Sequence, residues 1–136
     1  MPNRQTDYAV VVMLETPDGF PLICDPQKPF PRFWKFPGGR SQPHEIPLKT
    51  AIRELHEETG ICVSSDKLKL IHKETRIKSV GNHGFFVFYA NVSRKVKLLE
   101  RGSGNELVKC FPRVELKKLL DFFPNHRALA ERFLFI

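Results

Sequence analysis

The sequence predicts an α/β protein in which a mixed sheet lies between helical layers. Three observations predict it. Apolar, β-branched runs of strand length recur along the chain. One central segment instead repeats its apolar residues with helical spacing. Two proline-opened helical patterns close the chain. Strands interleaved with one central helix and followed by C-terminal helices argue that layering. At 136 residues the chain is read as a single domain over 1–136, large enough for a real core. With 41% apolar residues and 12 phenylalanines, it reads as globular rather than disordered.

Tyr8 to Glu15 is rich in β-branched residues and predicts the first strand. Pro17-Asp18-Gly19 is turn chemistry, so Pro21 to Cys24 is expected to return as its hairpin partner. Asp25 to Phe33 holds three prolines and predicts a rigid loop. Trp34 to Phe36 reads as a short strand entering Pro37-Gly38-Gly39. Pro47 suits the first turn of a helix. Leu48, Ala51, Ile52 and Leu55 then fall at i, i+3, i+4 and i+7, one apolar stripe facing a core. Gly60 stands where a left-handed cap is wanted, so the helix runs from Pro47 to Thr59. Lys67 to Ile77 and Gly84 to Val92 read as strands joined through a loop over Lys78 to His83. Leu107 to Phe111 is a last strand. Pro112 opens a helix through Leu120, and Pro124 opens another with Leu129, Phe133 and Leu134 inward.

No run of about 18 apolar residues occurs, so no membrane span is expected. The N-terminal residues lack the apolar stretch of a signal peptide. Cys24, Cys62 and Cys110 are an odd count without metal-type spacing; they read as free thiols, with Cys24 and Cys110 buried, in a cytoplasmic protein. The net charge of +7 favours anionic partners, nucleotides first and RNA second. A monomer or homodimer is expected.

The chemistry concentrates on one helix face. Glu54, Glu57 and Glu58 sit opposite the apolar stripe at i, i+3 and i+4. Like charges at that spacing repel by about 0.2–0.5 kcal/mol per pair. They also crowd the negative end of the helix dipole. A hard divalent cation held by carboxylate oxygens offsets both. An acidic helix face is more often only solvated. Here, however, Gly39, Glu45, Arg53 and Gly60 stand in register with it. Five residues separate Gly39 from Glu45, and seven separate Glu45 from Arg53. The segment reads G-x5-E-x7-R-E-U-x-E-E-x-G-U, with U aliphatic, and all nine specified positions are met.

This pattern resembles the signature of the Nudix hydrolase family. The likeness extends to Phe33-Trp34-Lys35-Phe36-Pro37-Gly38-Gly39 before the box and to Phe111-Pro112-Arg113-Val114-Glu115-Leu116 near the end. It implies the Nudix α/β/α sandwich with a central mixed sheet. It also implies metal-dependent hydrolysis of a pyrophosphate linked to a nucleoside. Position by position, Glu54, Glu57 and Glu58 match the family's metal-binding glutamates, and the Gly38 carbonyl is a further ligand carried over. Magnesium is the expected ion, with manganese second. Arg53 reads as the residue that fixes a glutamate carboxylate, with Glu45 its partner. Glu57 is the favoured proton acceptor within a catalytic set of Glu57, Glu54 and Arg53. Glu106, on a glycine-bearing loop, is a candidate further ligand; its rival reading is a solvated loop residue. Trp34, Phe36 and Arg40 are the candidate substrate contacts, although aromatic residues are core first. His44 stands where many members have glycine, so the usual loop geometry is not carried over. His56 reads as helix surface.

The subgroup marks are negative. Ile77 replaces the proline of ADP-ribose hydrolases, Lys78 and Ser79 replace the tyrosine of dinucleoside polyphosphate hydrolases, and the NADH-cleaving mark is absent. Elimination leaves a nucleoside triphosphate as first substrate. The alternatives are 5′-triphosphate RNA, or a Nudix-fold sensor that binds a nucleotide without cleaving it.

Overall fold

The computed structural model describes residues 7–78 and 81–135. Its elements run β1 (Asp7–Glu15), β2 (Phe20–Cys24), β3 (Gly38–Arg40), α1 (Pro47–Thr59), a 3₁₀ turn (Ser65–Lys67), β4 (Lys69–Lys78), β5 (Gly81–Asn91), β6 (Leu107–Phe111), α2 (Arg113–Lys118) and α3 (Pro124–Phe133). A four-stranded sheet has the order β3-β1-β5-β4, and β2 and β6 form a second, two-stranded sheet. β1 runs parallel to β5 and antiparallel to β3, so the main sheet is mixed, as expected.

β1 explains the layering. Its apolar run is buried on both faces, as a central strand's must be. Val10, Val12 and Leu14 pack with Ala51 and Leu55 of α1. Val11 and Met13 point the other way, into a core with Phe20, Leu22, Phe36, Leu116, Phe122 and Ala130. The sheet therefore separates an α1 side from an α2/α3 side. Among the described residues, no helix is long and apolar enough to cross a membrane.

Several expectations change. Pro21 to Cys24 does not pair with β1; β2 pairs antiparallel with β6 instead. Both edges of β1 are taken by β3 and β5. The Thr16–Gly19 turn, with Gly19 at φ 109°, sends the chain away from that sheet. Trp34 and Lys35 form only single bridges, to Phe122 and Ile23, and the strand of this region is β3. Its glycines are required there: a Cβ on Gly38 would lie 2.1 Å from the Val10 carbonyl oxygen. β4 starts later than expected because of the 3₁₀ turn, while β5 starts at Gly81, inside the expected loop. Ser79 and Val80 of that loop lie outside the described residues. α2 is shorter than expected, with Pro112 as its N-cap. Cys24 is buried, Cys110 half-buried and Cys62 exposed, all as free thiols.

Candidate active site

α1 presents the acidic face as the spacing predicts. Pro47 opens it, and Gly60 closes it at φ 85° with its N–H on the His56 carbonyl. Ala51 and Leu55 are buried against the sheet, with Leu48 and Ile52 beside them. The last carbonyls of a helix need partners. Here the Ser103 N–H donates to the Glu57 carbonyl at 2.9 Å and the Leu99 N–H to that of Thr59 at 2.8 Å. The segment before β6 is thus docked on the end of α1 where the three glutamates stand.

Arg53 organises the face. Its Nε donates to Glu45 Oε2 at 2.8 Å and its Nη2 to Glu45 Oε1 at 3.1 Å, a bidentate pair. Nη1 lies between Glu54 and Glu57, at 3.3 and 3.2 Å. Nη2 also donates to the Arg40 carbonyl at 3.0 Å, so Arg40 enters the network through its backbone. The Arg53 guanidinium holds the Glu45 carboxyl down at about 2, aided by the Gln42 N–H and the Thr50 hydroxyl. Thr50, buried and donating to Glu45 at 2.8 Å, was not anticipated from the sequence. His44 sits at φ 64°, a left-handed conformation that favours glycine.

Glu58 faces inward. Its Oε1 accepts the Gly38 N–H at 2.9 Å. Burial pushes its carboxyl up to about 8; the Gly38 N–H and Lys35 oppose this, and the charges of Glu54 and Glu106 add to it. Burial also raises Glu54, against the opposing charge of Arg53. Gly39 makes room for Glu54: a Cβ there would lie 2.3 Å from Oε2. Glu106 comes to the same place from its loop. Its Oε1 accepts the Gly104 N–H at 3.0 Å, and a Cβ on Gly102 would touch both that carboxylate and the Glu58 backbone. Arg53, Glu54, Glu57 and Glu58 thus stand on α1, with Glu45 reaching Arg53 from the turn before the helix and Glu106 approaching Glu58 from the 102–106 loop.

A cleft of about 180 Å³ opens beside them. Gly38 and Gly39 form one side, and Phe36, Phe85, Phe123 and His126 form another, with Lys35 at its edge. Phe36 is 1% exposed and belongs to the core, where its ring stacks on His126 at 5.7 Å. His126 Nδ1 accepts the Phe36 N–H at 3.0 Å, and burial, with the Lys35 charge, holds this imidazole down at about 4. It is neutral at pH 7. Trp34 packs edge-on against Phe111 at 5.1 Å and does not line this cleft. Lys35 and Phe36 both line the cleft, Phe36 from the core and Lys35 as the cation among the lining residues. Lys35, Phe85, Phe123 and His126 were not read as site residues; of these only Lys35 lies in the Phe33-to-Gly39 stretch that the sequence singled out.

Among the described residues, no group of three or more His, Cys, Asp or Glu side chains is drawn together so as to hold a metal ion. Glu54 and Glu57 share the Arg53 guanidinium instead. The donor chemistry nonetheless suits a hard divalent cation: carboxylate oxygens predominate, two of the carboxyls are raised by burial, and Gly39 leaves a cradle that a Cβ would fill.

The chain matches the NUDIX domain over residues 5–133. Over 68 residues it is 37% identical to the Nucleoside diphosphate-linked moiety X motif 6 protein of Mus musculus, a match covering 50% of this chain and 21% of that protein. Over 32 residues it is 50% identical to the 8-oxo-dGTP diphosphatase of Proteus vulgaris, covering 24% of this chain and 29% of that protein. Both matches span under a third of the relatives' lengths. The backbone is similar to a solved structure from work on MutT of Aliivibrio salmonicida and Vibrio cholerae, with TM-score 0.73, 18% identity, and 94% of this chain and 96% of that one covered. That likeness is one of fold. The box, the layering and the match over nearly the whole chain agree, and the chain belongs to the NUDIX domain family.

Proposed function

We propose that the chain hydrolyses the pyrophosphate bond of a nucleoside diphosphate-linked substrate, first of all a nucleoside triphosphate, with Mg²⁺ or Mn²⁺ bound. The observation that carries this reading is the junction at Gly38 and Gly39. One side of these glycines touches Glu58 and makes room for Glu54; the other lines an aromatic cleft edged by a lysine.

Glu54, Glu57 and Glu58 would hold the ion, with the Gly38 carbonyl and Glu106 as further ligands. When bound, it neutralises phosphate charge, polarises phosphorus and acidifies a water. Glu57, with its side chain 41% exposed, is the carboxylate best able to accept the proton of an attacking water. Arg53 keeps Glu54 and Glu57 in place and is itself anchored by Glu45. Lys35 supplies the positive charge that a substrate phosphate needs on the cleft side. The rings of Phe85 and Phe123 exclude water and flank the nucleoside.

The test is a panel of nucleotides incubated with Mg²⁺ or Mn²⁺, reading phosphate and pyrophosphate release. Metal-dependent turnover of a nucleoside triphosphate, abolished by EDTA, is the expected result. Undiminished turnover in excess EDTA overturns the metal reading. Tight nucleotide binding without product in either metal makes the protein a sensor.

A further inference from the structure

The outer edge of β4 is unpaired although the strand is long and regular. β4 ends the sheet order β3-β1-β5-β4, and among the described residues no other segment hydrogen-bonds to its free side. After a bulge between Leu70 and His72, residues 72–78 keep an unbroken register with β5. Such an edge is a template for another strand, and proteins commonly blunt it with bulges, proline or like charges. Here the bulge lies towards one end, and no proline interrupts the strand.

Residues opposite each other in a ladder share a face. Lys73 lies opposite Phe86, so Lys73, Thr75 and Ile77 point to the α1 side. Glu74 lies opposite Phe85, so His72, Glu74 and Arg76 point to the α3 side, where they line a groove with that helix. Ile77 is 85% exposed, although isoleucine normally seeks a core, and Thr75 is exposed on the same face.

This strand is complementary to its own reverse. In an antiparallel pair of identical strands, the residue on the two-fold axis faces its own copy, and its two neighbours face each other. Lys73, Glu74 or Arg76 on the axis would set like charges across it. Thr75 on the axis instead sets Glu74 against Arg76 of the second copy, twice. It also sets Lys73 against Ile77, whose exposed side chain the lysine stem covers.

We propose that β4 is the interface of a homodimer, in which two copies pair antiparallel about Thr75 and join their four-stranded sheets into one. The match of the strand with its own reverse selects a second copy over an unrelated extended peptide. Exposed ion pairs add little affinity, so here they set the register, while main-chain hydrogen bonds and the cover over Ile77 hold the pair. β3, with Gly38 and Gly39, is the opposite edge of the sheet, so the inference stands apart from the hydrolase reading.

Sedimentation equilibrium tests this on wild type, Glu74→Arg, Arg76→Glu and an equimolar mixture of the two variants. Wild type is expected to approach twice the chain mass as concentration rises. In either variant alone, like charges meet twice across the axis, and the dimer should weaken about 10-fold or more. In the mixture, two cations of one chain face two anions of the other, and the dimer should return. Both variants lose the ion pair within the chain, where Arg76 Nε donates to Glu74 at 2.8 Å, so only a contact between chains explains that return. Wild type monomeric at every concentration, variants as dimeric as wild type, or a mixture no more dimeric than its components overturns the proposal. Cross-linking then decides the register without altering charge at 74 or 76, in a background where exposed Cys62 is replaced by serine. With oxidised glutathione, Thr75→Cys should form an intermolecular disulfide, its Cβ atoms standing about 4.5–5.5 Å apart across the axis, and Lys73→Cys should not. No cross-link in Thr75→Cys, or equal cross-linking at the two positions, overturns it.

Discussion

The two sides of Gly38 and Gly39 are built in opposite ways. On the α1 side, Glu45, Arg53, Glu54, Glu57 and Glu58 come from one short stretch; the helix places the last four by its own period, and Arg53 ties in Glu45 from the turn before it. On the cleft side, Lys35, Phe85, Phe123 and His126 come from three distant segments, brought together by the sheet and α3. The first half is local and charged; the second is long-range and largely aromatic. The difference teaches that the side proposed for the chemistry is spelled by spacing, while the side proposed for the substrate is assembled by topology.

The largest expected effect breaks the local half alone. Glu57→Gln should lower kcat by at least ~10²-fold, the scale of a lost general base or positioned ion. Removing one of three like charges near a helix C-terminus should leave Tm unchanged or raised. Kinetics and melting on the same preparation check this; activity lost only together with folding would make Glu57 structural.

The hinge between the halves comes next. Gly39→Ala puts a methyl into the Glu54 carboxylate, the movable end of a side chain. Activity should fall roughly 10- to 100-fold from misplacement, with a modest change in Tm. Gly38→Ala meets the Val10 backbone instead, so it should lower Tm sharply. Equal melting temperatures for the two variants would contradict the geometry.

Titration separates the halves further. Glu58 has its folded value raised to about 8, from an ordinary 4.5. The folded state then binds the extra proton, so metal-free stability should fall as pH rises from about 4.5 to about 8. Glu58→Gln should remove that slope, and Mg²⁺ should restore stability at the alkaline end. His126 has the opposite sign: its value is lowered from 6.5 to about 4, so acidification through that window should destabilise. The difference between wild type and His126→Asn across pH isolates this contribution.

The smallest effect sits at the loop. His44→Gly relieves a left-handed conformation, typically about 1–2 kcal/mol for an L-residue, against about 0.4–1 kcal/mol of added unfolded-state freedom. A slightly higher Tm with unchanged kcat is expected by calorimetry and kinetics.

Legibility follows the same division. The helix, its Pro47 start, its Gly60 cap and the Arg53–Glu45 pair were readable because each depends on residues a few turns apart. The pairing of β2 with β6 was not, since strand edges are allotted by the whole sheet and not by the Thr16–Gly19 turn. That Lys35 and not Trp34 lines the cleft was unreadable for a related reason. Alternation says that neighbours face opposite ways, but only α3 and β6 determine which way is inward. Glu106 was readable as a candidate through its glycines, whereas Phe123 and His126 gave no local sign.

The most direct measurement is the Mg²⁺ dependence and substrate dependence of activity in Glu106→Ala and Lys35→Ala, with exposed Glu115→Ala as control. Glu106→Ala should raise the metal concentration for half-maximal activity and leave KM for nucleotide at saturating metal near wild type. Lys35→Ala should raise KM several-fold while the metal midpoint stays or falls, because a positive charge near Glu58 is removed. Both midpoints moving together in both variants, or Glu106→Ala behaving as the control does, would contradict a site made of a metal half and a substrate half.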